Sequence, residues 1–200
     1  MKNFITIILL ALININCKAQ NINNTTDTNY TNLPNGCYLR DINNYLNPYV
    51  GEWKYVNGST TLLLKLRKIV NYNNGTYSED MLIGEYQYIE NGIEKINTLA
   101  NFNTNFPDQY FHDINGNMLT DNIKPPKCID CGSMPRVKLT YSDPVKQVAG
   151  TITIGIYDVE SIKVNFETSS LTYIDVPGGF IDTQEVGITI PNGWYIFEKQ

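Results

Sequence analysis

The stretch that decides the fold is VGEWKYVNG at residues 50–58. Side chains alternate between the two faces of a β-strand, so Trp53 and Tyr55 share one face and Glu52 and Lys54 the other. One apolar face and one polar face are typical of an antiparallel sheet with a solvated side. The closing Asn-Gly pair accepts the positive φ angles that a two-residue hairpin loop requires. We therefore predict an antiparallel hairpin that begins here.

A close copy of this stretch, GEYQYIENG, follows at residues 84–92. The same alternation places Tyr86 and Tyr88 on one face, with Glu85 and Gln87 opposite them. The copy also ends in Asn-Gly, as the first stretch does. We interpret the repeat as two similar hairpins of one antiparallel meander.

The chain beyond residue 50 consists of short strand patterns separated by turn signals, which favours a sandwich or a barrel. A third Asn-Gly pair, at residues 115–116, predicts another hairpin turn. Before residue 50 we expect one helical turn, from Asp41 to Pro48, which Asp41 can cap and Pro48 ends. The strand patterns lie at residues 62–66, 82–89, 93–99, 110–114, 117–120, 137–141, 152–156, 162–166 and 193–199.

The segment from Tyr49 to Trp53 resembles the opening of the lipocalins and related up-and-down barrels, where an aromatic-x-Gly-x-Trp motif starts the first strand. The resemblance implies that Gly51 and Trp53 form a structural plug at the closed end of a barrel. The chain departs from the pattern in one respect. Lipocalins usually place an arginine near the C-terminus to stack on that tryptophan, and residues 194–200 contain none.

The whole chain is also similar to a family of short, uncharacterised secreted proteins of the Bacteroidetes type, through VGEWKY at residues 50–55 and LIGEYQY at residues 82–88. That family has no assigned function. We predict an all-β fold: one domain over residues 37–200, an antiparallel up-and-down meander of about 8–10 strands closed into a lipocalin-like barrel. A β-sandwich is the alternative.

The first 19 residues carry the pattern of a signal peptide. Lys2 precedes an apolar run from Phe4 to Ile15, which is too short to span a bilayer as a helix. Cleavage after Ala19 would give a secreted or periplasmic protein. In the alternative, the protein is a lipoprotein anchored through Cys17. Residues 20–36 are rich in Asn and Thr and nearly free of apolar side chains, so we predict a flexible tether.

The charge balance disfavours a nucleic-acid partner. The formal net charge is −5, and removal of Lys2 and Lys18 with the leader leaves 13 basic against 20 acidic side chains. Affinity for phosphate backbones comes largely from Lys and Arg, so we expect no nucleic-acid binding.

Three cysteines remain after the leader: Cys37, Cys128 and Cys131. In an oxidising compartment thiols tend to pair, so we predict a disulfide between Cys128 and Cys131, or from one of them to Cys37. A zinc site built from these cysteines and His112 is the chemical alternative. Their spacing does not favour zinc, so we predict neither a metal nor a cofactor.

No catalytic constellation is recognisable in the sequence. His112 is the only histidine, and we expect it on a strand face or at a rim. Glu52 and Glu85 share a phase opposite the aromatic face, so both should face solvent with no raised pKa. We therefore predict a protein that is not an enzyme and lacks catalytic residues.

The remaining candidate is a binding role for the interior. Trp53, Tyr55, Tyr86 and Tyr88 fall on the predicted inward face, and buried tyrosine hydroxyls need hydrogen-bond partners or water. We predict a shallow pocket at the open end, with Tyr55, Tyr86 and Tyr88 as ligand-binding residues and residues 110–135 as its cover. Its ligand would be small and apolar or amphipathic. The alternative is a structural or interaction module at the cell envelope, with a filled core and no ligand.

The signal-peptide pattern predicts where the mature protein begins. Intact-mass analysis of the exported protein should show an N-terminus at Gln20, because cleavage follows the small residue Ala19. A diacylglyceryl mass on Cys17 would establish the lipoprotein alternative instead.

Overall fold

The computed structural model describes residues 20–21, 36–168, 173–176, 179–182 and 187–200. The predicted signal peptide and residues 22–35 of the predicted tether lie outside the described residues. The described chain contains β-strands and short 3₁₀ turns and no α-helix, which confirms the all-β prediction. None of its helical turns has the length or the apolar character to span a bilayer.

The described part of the chain contains thirteen strands. Three 3₁₀ turns accompany them, at Asn47–Tyr49, Leu99–Asn101 and Gln109–Phe111. The strands are β1 (Gln20–Asn21), β2 (Tyr38–Arg40), β3 (Gly51–Asn57), β4 (Thr60–Asn73), β5 (Ser78–Glu90), β6 (Ile93–Asn97), β7 (Ile114–Thr120), β8 (Arg136–Asp143), β9 (Val148–Ile156), β10 (Ser161–Thr168), β11 (Tyr173–Val176), β12 (Gly179–Asp182) and β13 (Gly193–Lys199).

Eight of the described strands close into an antiparallel barrel in the order β3-β4-β5-β7-β8-β9-β10-β13. Pairing of β13 with β3 and of β5 with β7 completes the ring. Strand β6 pairs with β5 outside the ring, β1 and β2 continue the sheet from β5 in parallel, and β11 pairs with β12 separately. The prediction of a closed up-and-down barrel is confirmed.

The register of β3, β4 and β5 confirms the inward phase of the repeated stretches. Trp53 pairs with Leu64 and Leu64 with Tyr86, so these three side chains form one row inside the barrel. Tyr55, Leu62 and Tyr88 form the next row in the same way. The two copies therefore lie on the two strands that flank β4.

The Asn-Gly pairs have different roles in the structure. Asn91 and Gly92 form a two-residue loop with positive φ angles of 52° and 74°, as predicted. In the first hairpin the loop is Gly58–Ser59, one residue later than expected. The predicted turn at residues 115–116 is wrong. Gly116 has a φ of 133° and lies at a register shift within β7, a bulge that glycine permits.

The barrel interior is a single packed core. Its side chains come from all eight strands and are almost fully removed from solvent. Burial of each large apolar side chain contributes about 1.5–3 kcal/mol, so this core supplies most of the favourable free energy of folding. The core includes Trp53, Leu62, Leu64, Leu66, Leu82, Tyr86, Tyr88, Ile114, Val137, Leu139, Tyr141, Ile152, Ile154, Ile162, Val164, Phe166 and Phe197.

Trp53 and Gly51 lie at one end of the barrel, which we call the tryptophan end. Trp53 Nε1 donates to the carbonyl oxygen of Tyr49 over 2.8 Å. The ammonium of Lys199 lies 5.5 Å from the Trp53 ring centroid, so a cation covers this ring although the C-terminal arginine is missing. Gly51 has a φ of 140°, which other residues rarely adopt.

The predicted turn before β3 forms at this same end. Asp41 accepts hydrogen bonds from the backbone nitrogens of Tyr45 and Leu46, so it orders the chain before β3. The predicted bounds and cap of the helical turn are wrong, because the turn begins after Leu46, no side chain caps it and Pro48 lies inside it. The 3₁₀ turn at Asn47–Tyr49 then directs the chain into β3. Leu46 and Tyr49 are fully buried, so they close the tryptophan end together with Trp53.

Strand β5 is buried on both faces. Its inward residues belong to the core, whereas Met81, Ile83 and Glu85 are also fully buried. Residues 98–113, which we call the overlay, cover this outer face. Arg67 on β4 helps to hold the overlay, because its Nε donates to the carbonyl oxygen of Phe102 over 3.2 Å.

We expect the substitution Trp53→Ala to lower the free energy of unfolding by about 3–5 kcal/mol, because it leaves a large cavity in a packed core. The neighbouring Glu52→Ala removes an exposed salt bridge to Lys65 and should cost less than about 1 kcal/mol. Urea unfolding of both variants tests which side chains of β3 point into the barrel. Equal shifts of the two midpoints would contradict the inward position of Trp53.

Candidate functional site on the barrel wall

The three tyrosines predicted to bind a ligand lie inside the barrel, near the end where β13 begins. Tyr86 and Tyr88 are buried and Tyr55 is partly buried. The Tyr86 hydroxyl donates to the carbonyl oxygen of Ser142 and the Tyr88 hydroxyl to Glu90 Oε1, over 2.9 and 3.0 Å. Both hydroxyls are thus satisfied within the protein.

Tyr55 packs its ring against neighbouring rings at this same end, which we call the tyrosine end. Its ring centroid lies 5.0 Å from that of Tyr195 and 5.9 Å from that of Phe197. Five cavities among the described residues, around Glu79, Arg67, Asp41, Val56 and Ile123, have none of the three predicted tyrosines in their walls. Ligand binding by these tyrosines stays a prediction.

The cover predicted for the tyrosine end lies elsewhere. Tyr110 packs on the outer wall, where its hydroxyl contacts Glu79, and the carbonyl oxygen of Pro135 accepts from Tyr49 at the opposite, tryptophan end. The fully buried Ile190 belongs to the core at the tyrosine end, and the backbone nitrogen of Thr189 donates to Asp143. The prediction that residues 110–135 cover the tyrosine end is wrong. Because β7 is one continuous strand and not a hairpin, these residues run along the barrel wall to the tryptophan end.

The disulfide between Cys128 and Cys131 is present, which confirms one of the predicted pairings. It lies in the loop of residues 121–135, where the buried guanidinium of Arg136 donates to the carbonyl oxygens of Asp121, Lys124 and Pro126. The alternative zinc site is not formed, because the sulfurs of Cys128 and Cys131 are bonded to each other. Within the described ranges no group of three or more His, Cys, Asp or Glu side chains is placed to hold a metal.

A cavity of about 280 Å³ lies on the outer wall, and we call it the outer groove. Its floor crosses β7, β8 and β9, and its side is formed by the start of β5 and by the overlay. Rings and aliphatic groups provide most of its surface, with few polar groups between them. The residues that line it are Tyr77, Glu79, Tyr110, Asn115, Gly116, Asn117, Met118, Lys138, Leu139, Thr140 and Thr151.

The bulge in β7 shapes this groove. Residues 82–84 of β5 pair with residues 114–116 of β7, and the backbone pairing ends there. Beyond the bulge, the side-chain amide of Asn117 donates to the carbonyl oxygen of Asp80 and to Glu79 Oε2, over 2.8 and 2.7 Å. The side chain of Asn117 thus takes the place of backbone hydrogen bonds between β5 and β7. The two strands separate here enough to leave a groove.

Glu79 lies at one side of the groove and has donors on both oxygens. Oε1 accepts from the Tyr110 hydroxyl over 2.5 Å and from Asn74 Nδ2 over 3.3 Å, and Oε2 accepts from Asn117. Burial raises the pKa of Glu79, although these donors oppose the shift. Burial, together with the bond to Glu79, also raises the pKa of Tyr110.

A second polar cluster is buried under the overlay, directly outside β5. Glu85 Oε1 lies 2.7 Å from His112 Nδ1, and neither side chain is exposed. Burial, with a smaller effect from the Arg67 charge, lowers the pKa of His112. A neutral His112 can therefore donate its Nδ1 proton to Glu85. The expectation that Glu85 faces solvent with no raised pKa is wrong, since burial raises its pKa.

Asp113 completes this cluster. Burial, followed by the neighbouring charge of Glu85 and a hydrogen bond to it, raises the pKa of Asp113 to about 7. Two carboxyl groups that are close in a poorly solvated site resist ionising together, so one proton is retained between them. The expected position of His112 on a strand face or rim is also wrong, because His112 is a buried residue of the overlay and its ring centroid lies 4.9 Å from that of Phe106.

Sequence reasoning missed Glu79, Tyr110, Asn117 and Lys138 as residues that line one groove. They come from three strands and the overlay, and no local spacing connects them. One available signal was the run Met81-Leu82-Ile83, since consecutive apolar residues are typical of a strand buried on both faces. That signal indicated that Glu85 would be covered.

The fold and its wall site define a closed antiparallel β-barrel protein with an overlaid strand and an outer groove. The chain belongs to a family of unknown function, DUF6705, whose model matches residues 1–200. No curated protein and no solved structure matches the chain.

The raised pKa of Asp113 predicts a pH-dependent stability. Unfolded aspartates titrate near pH 3.9, so between about pH 4 and pH 7 the folded protein holds a proton that the unfolded chain has released. Stability from this group is complete below about pH 4 and is lost as the pH rises through about 7.

We expect Asp113→Asn, which cannot lose the proton, to gain about 1–2 kcal/mol in free energy of unfolding relative to the wild type between pH 4 and pH 7.5. Urea unfolding across this range measures the difference. Glu198→Gln, which removes an exposed carboxylate on β13, is the matched control. If the difference in free energy of unfolding between Asp113→Asn and the wild type did not change with pH, the two carboxyl groups would not retain a proton.

Proposed function

We propose that this protein is an exported, non-enzymatic binding protein that holds a small amphipathic ligand in the outer groove. The observation that carries the proposal is the groove itself, a concave site of about 280 Å³ with mostly apolar walls and a few convergent polar groups. Small-molecule sites have this composition, because apolar contact supplies affinity and a few polar groups fix orientation.

The groove is a better candidate than the interior. The interior side chains pack against one another, and the hydroxyls of Tyr86 and Tyr88 already have protein partners. An interior ligand would have to displace core side chains, and each displaced side chain would lose its burial energy. A ligand in the groove displaces only solvent.

The chemistry of the wall supports a role without catalysis. The oxygens of Glu79, the one carboxylate that lines the groove, already accept hydrogen bonds from Tyr110, Asn74 and Asn117. His112 lies in the overlay with its ring buried against β5 and paired with Glu85, so a substrate in the groove would have no contact with it. General acid–base catalysis needs such a group within hydrogen-bond reach of the substrate.

Two features support export. The first 19 residues carry the signal-peptide pattern, and the disulfide between Cys128 and Cys131 is of a kind that persists in oxidising compartments. We propose release at Ala19 into the periplasm or the medium, with a lipid anchor on Cys17 as the alternative. Either route would place the groove outside the cytoplasm.

A second candidate function is a structural or interaction module at the cell envelope that binds no ligand. The filled interior favours this role, because it makes the barrel a rigid body with no internal site. The outer groove would then be a surface depression without a function of its own.

A binding experiment separates the two functions. N-phenyl-1-naphthylamine, a neutral dye that fluoresces in apolar sites, should bind the wild type, and Met118→Trp should weaken binding at least fivefold because the larger ring fills the groove. Val56→Trp adds the same ring at an exposed position on β3, outside the lining of the groove, and should have no effect.

Each other outcome has a defined meaning. Dye binding that survives Met118→Trp and is lost in Tyr88→Ala would move the site to the interior. No binding by the wild type at millimolar protein would support the module without a ligand.

A further inference from the structure

The charges that line the outer groove identify the class of ligand, given the proposed function. Two charged residues line it, Lys138 on β8 and Glu79 on β5. Three donors already satisfy Glu79, so its carboxylate has little capacity left for a ligand. These donors come from Tyr110, Asn74 and Asn117, so both oxygens of Glu79 are engaged within the protein.

Lys138 is in the opposite situation. Among the described residues no carboxylate forms an ion pair with its ammonium, whereas Lys65, Lys68 and Lys163 each have one within 2.8 Å. Its side chain is partly buried on the outer face of β8, between Met118 on β7 and Thr153 on β9. An unpaired ammonium in a partly apolar site attracts an anion more strongly than a fully solvated one does.

Hydroxyl groups accompany this ammonium. Thr140 and Thr151 pair across β8 and β9, and both line the groove on the same wall as Lys138. Each hydroxyl can donate one hydrogen bond to an anionic oxygen. On the other side of the groove the rings of Tyr77 and Tyr110 provide apolar surface, and Met118, the cross-strand neighbour of Lys138, adds to it. One side of the groove therefore favours an anion, and the other favours an apolar body.

We infer that the ligand of the outer groove is a small amphipathic carboxylic acid, with its carboxylate at Lys138, Thr140 and Thr151 and its apolar body against Met118, Tyr77 and Tyr110. The volume limits the size of this acid. At roughly 30 Å³ per water molecule, about 280 Å³ corresponds to about nine waters, which suits an acid of medium chain length or with one ring.

Three probes of equal length test this inference by their head groups: octanoate, octanol and octylammonium. Titrations followed by amide chemical shifts should show octanoate binding at least tenfold more tightly than octanol, with shifts centred on Met118, Lys138 and Thr140. Octylammonium should bind more weakly than octanol, because Lys138 repels it. The affinity for octanoate should also fall as the sodium chloride concentration is raised, since salt screens the attraction between its carboxylate and the Lys138 ammonium.

Variants of Lys138 assign the effect to this side chain. Lys138→Met keeps the length and removes the charge, so it should weaken octanoate at least tenfold and leave octanol within twofold. Lys138→Arg keeps the charge and should retain most of the octanoate affinity. Lys54→Met removes a lysine on β3 that does not line the groove, and it should change nothing. Unfolding midpoints of all variants verify that each is folded.

The outcomes separate this inference from the proposed function. If octanol and octanoate bind equally well and Lys138→Met has no effect, the preference for an acid is overturned. The groove then remains a binding site for another class of ligand. Tighter binding of octylammonium would overturn it in favour of Glu79 as the recognising charge. No binding by any probe would overturn the groove as a ligand site, and the acid with it.

Discussion

Strand β5 pairs with β4 along one edge and with β2, β7 and β6 in turn along the other, and this double pairing closes the barrel. Within β5, Gly84 pairs with Leu66 on one side and Ile114 on the other. A Cβ at Gly84 would lie 2.4 Å from the carbonyl oxygen of Lys65 and 2.5 Å from Leu66 Cδ2. Because Gly84 has no side chain, β5 can lie this close to β4.

The same strand organises the wall outside the barrel. Since β5 is apolar on both faces, its outer face needs a cover, and the overlay supplies it. Covering that face removes Glu85 from water, and a buried carboxylate requires a partner or a proton. His112 and Asp113 meet that requirement, and both lie in the overlay itself. The polar cluster is thus a consequence of covering a strand that carries a glutamate.

The packed interior directs any binding role to the wall. An eight-stranded barrel is just wide enough to be filled by side chains or to hold one small ligand. Here rings and branched side chains fill it, and the bulge at Gly116 opens a groove on the outside instead. Lys138 is the unpaired charge at that groove, and a rigid barrel beneath it keeps the lining in place.

The sequence by itself determined the fold class, because alternation in VGEWKYVNG and its copy records which side chains face the core. It also indicated Asp41 as a hydrogen-bond acceptor for the turn before β3, because that relationship is local. It predicted a disulfide at Cys128 or Cys131 but left Cys37 open as a partner, and only the structure shows that Cys128 pairs with Cys131. The tertiary structure alone decided what lies outside the barrel. A period of two separates inward from outward residues but does not say whether a later segment covers the outward ones. For Glu85 the sequence offered only an indirect signal, the apolar run Met81-Leu82-Ile83, and its partners His112 and Asp113 came from the tertiary structure. Asn115-Gly116 and the outer groove were beyond the sequence, because each depends on where residues 98–120 pack against β5.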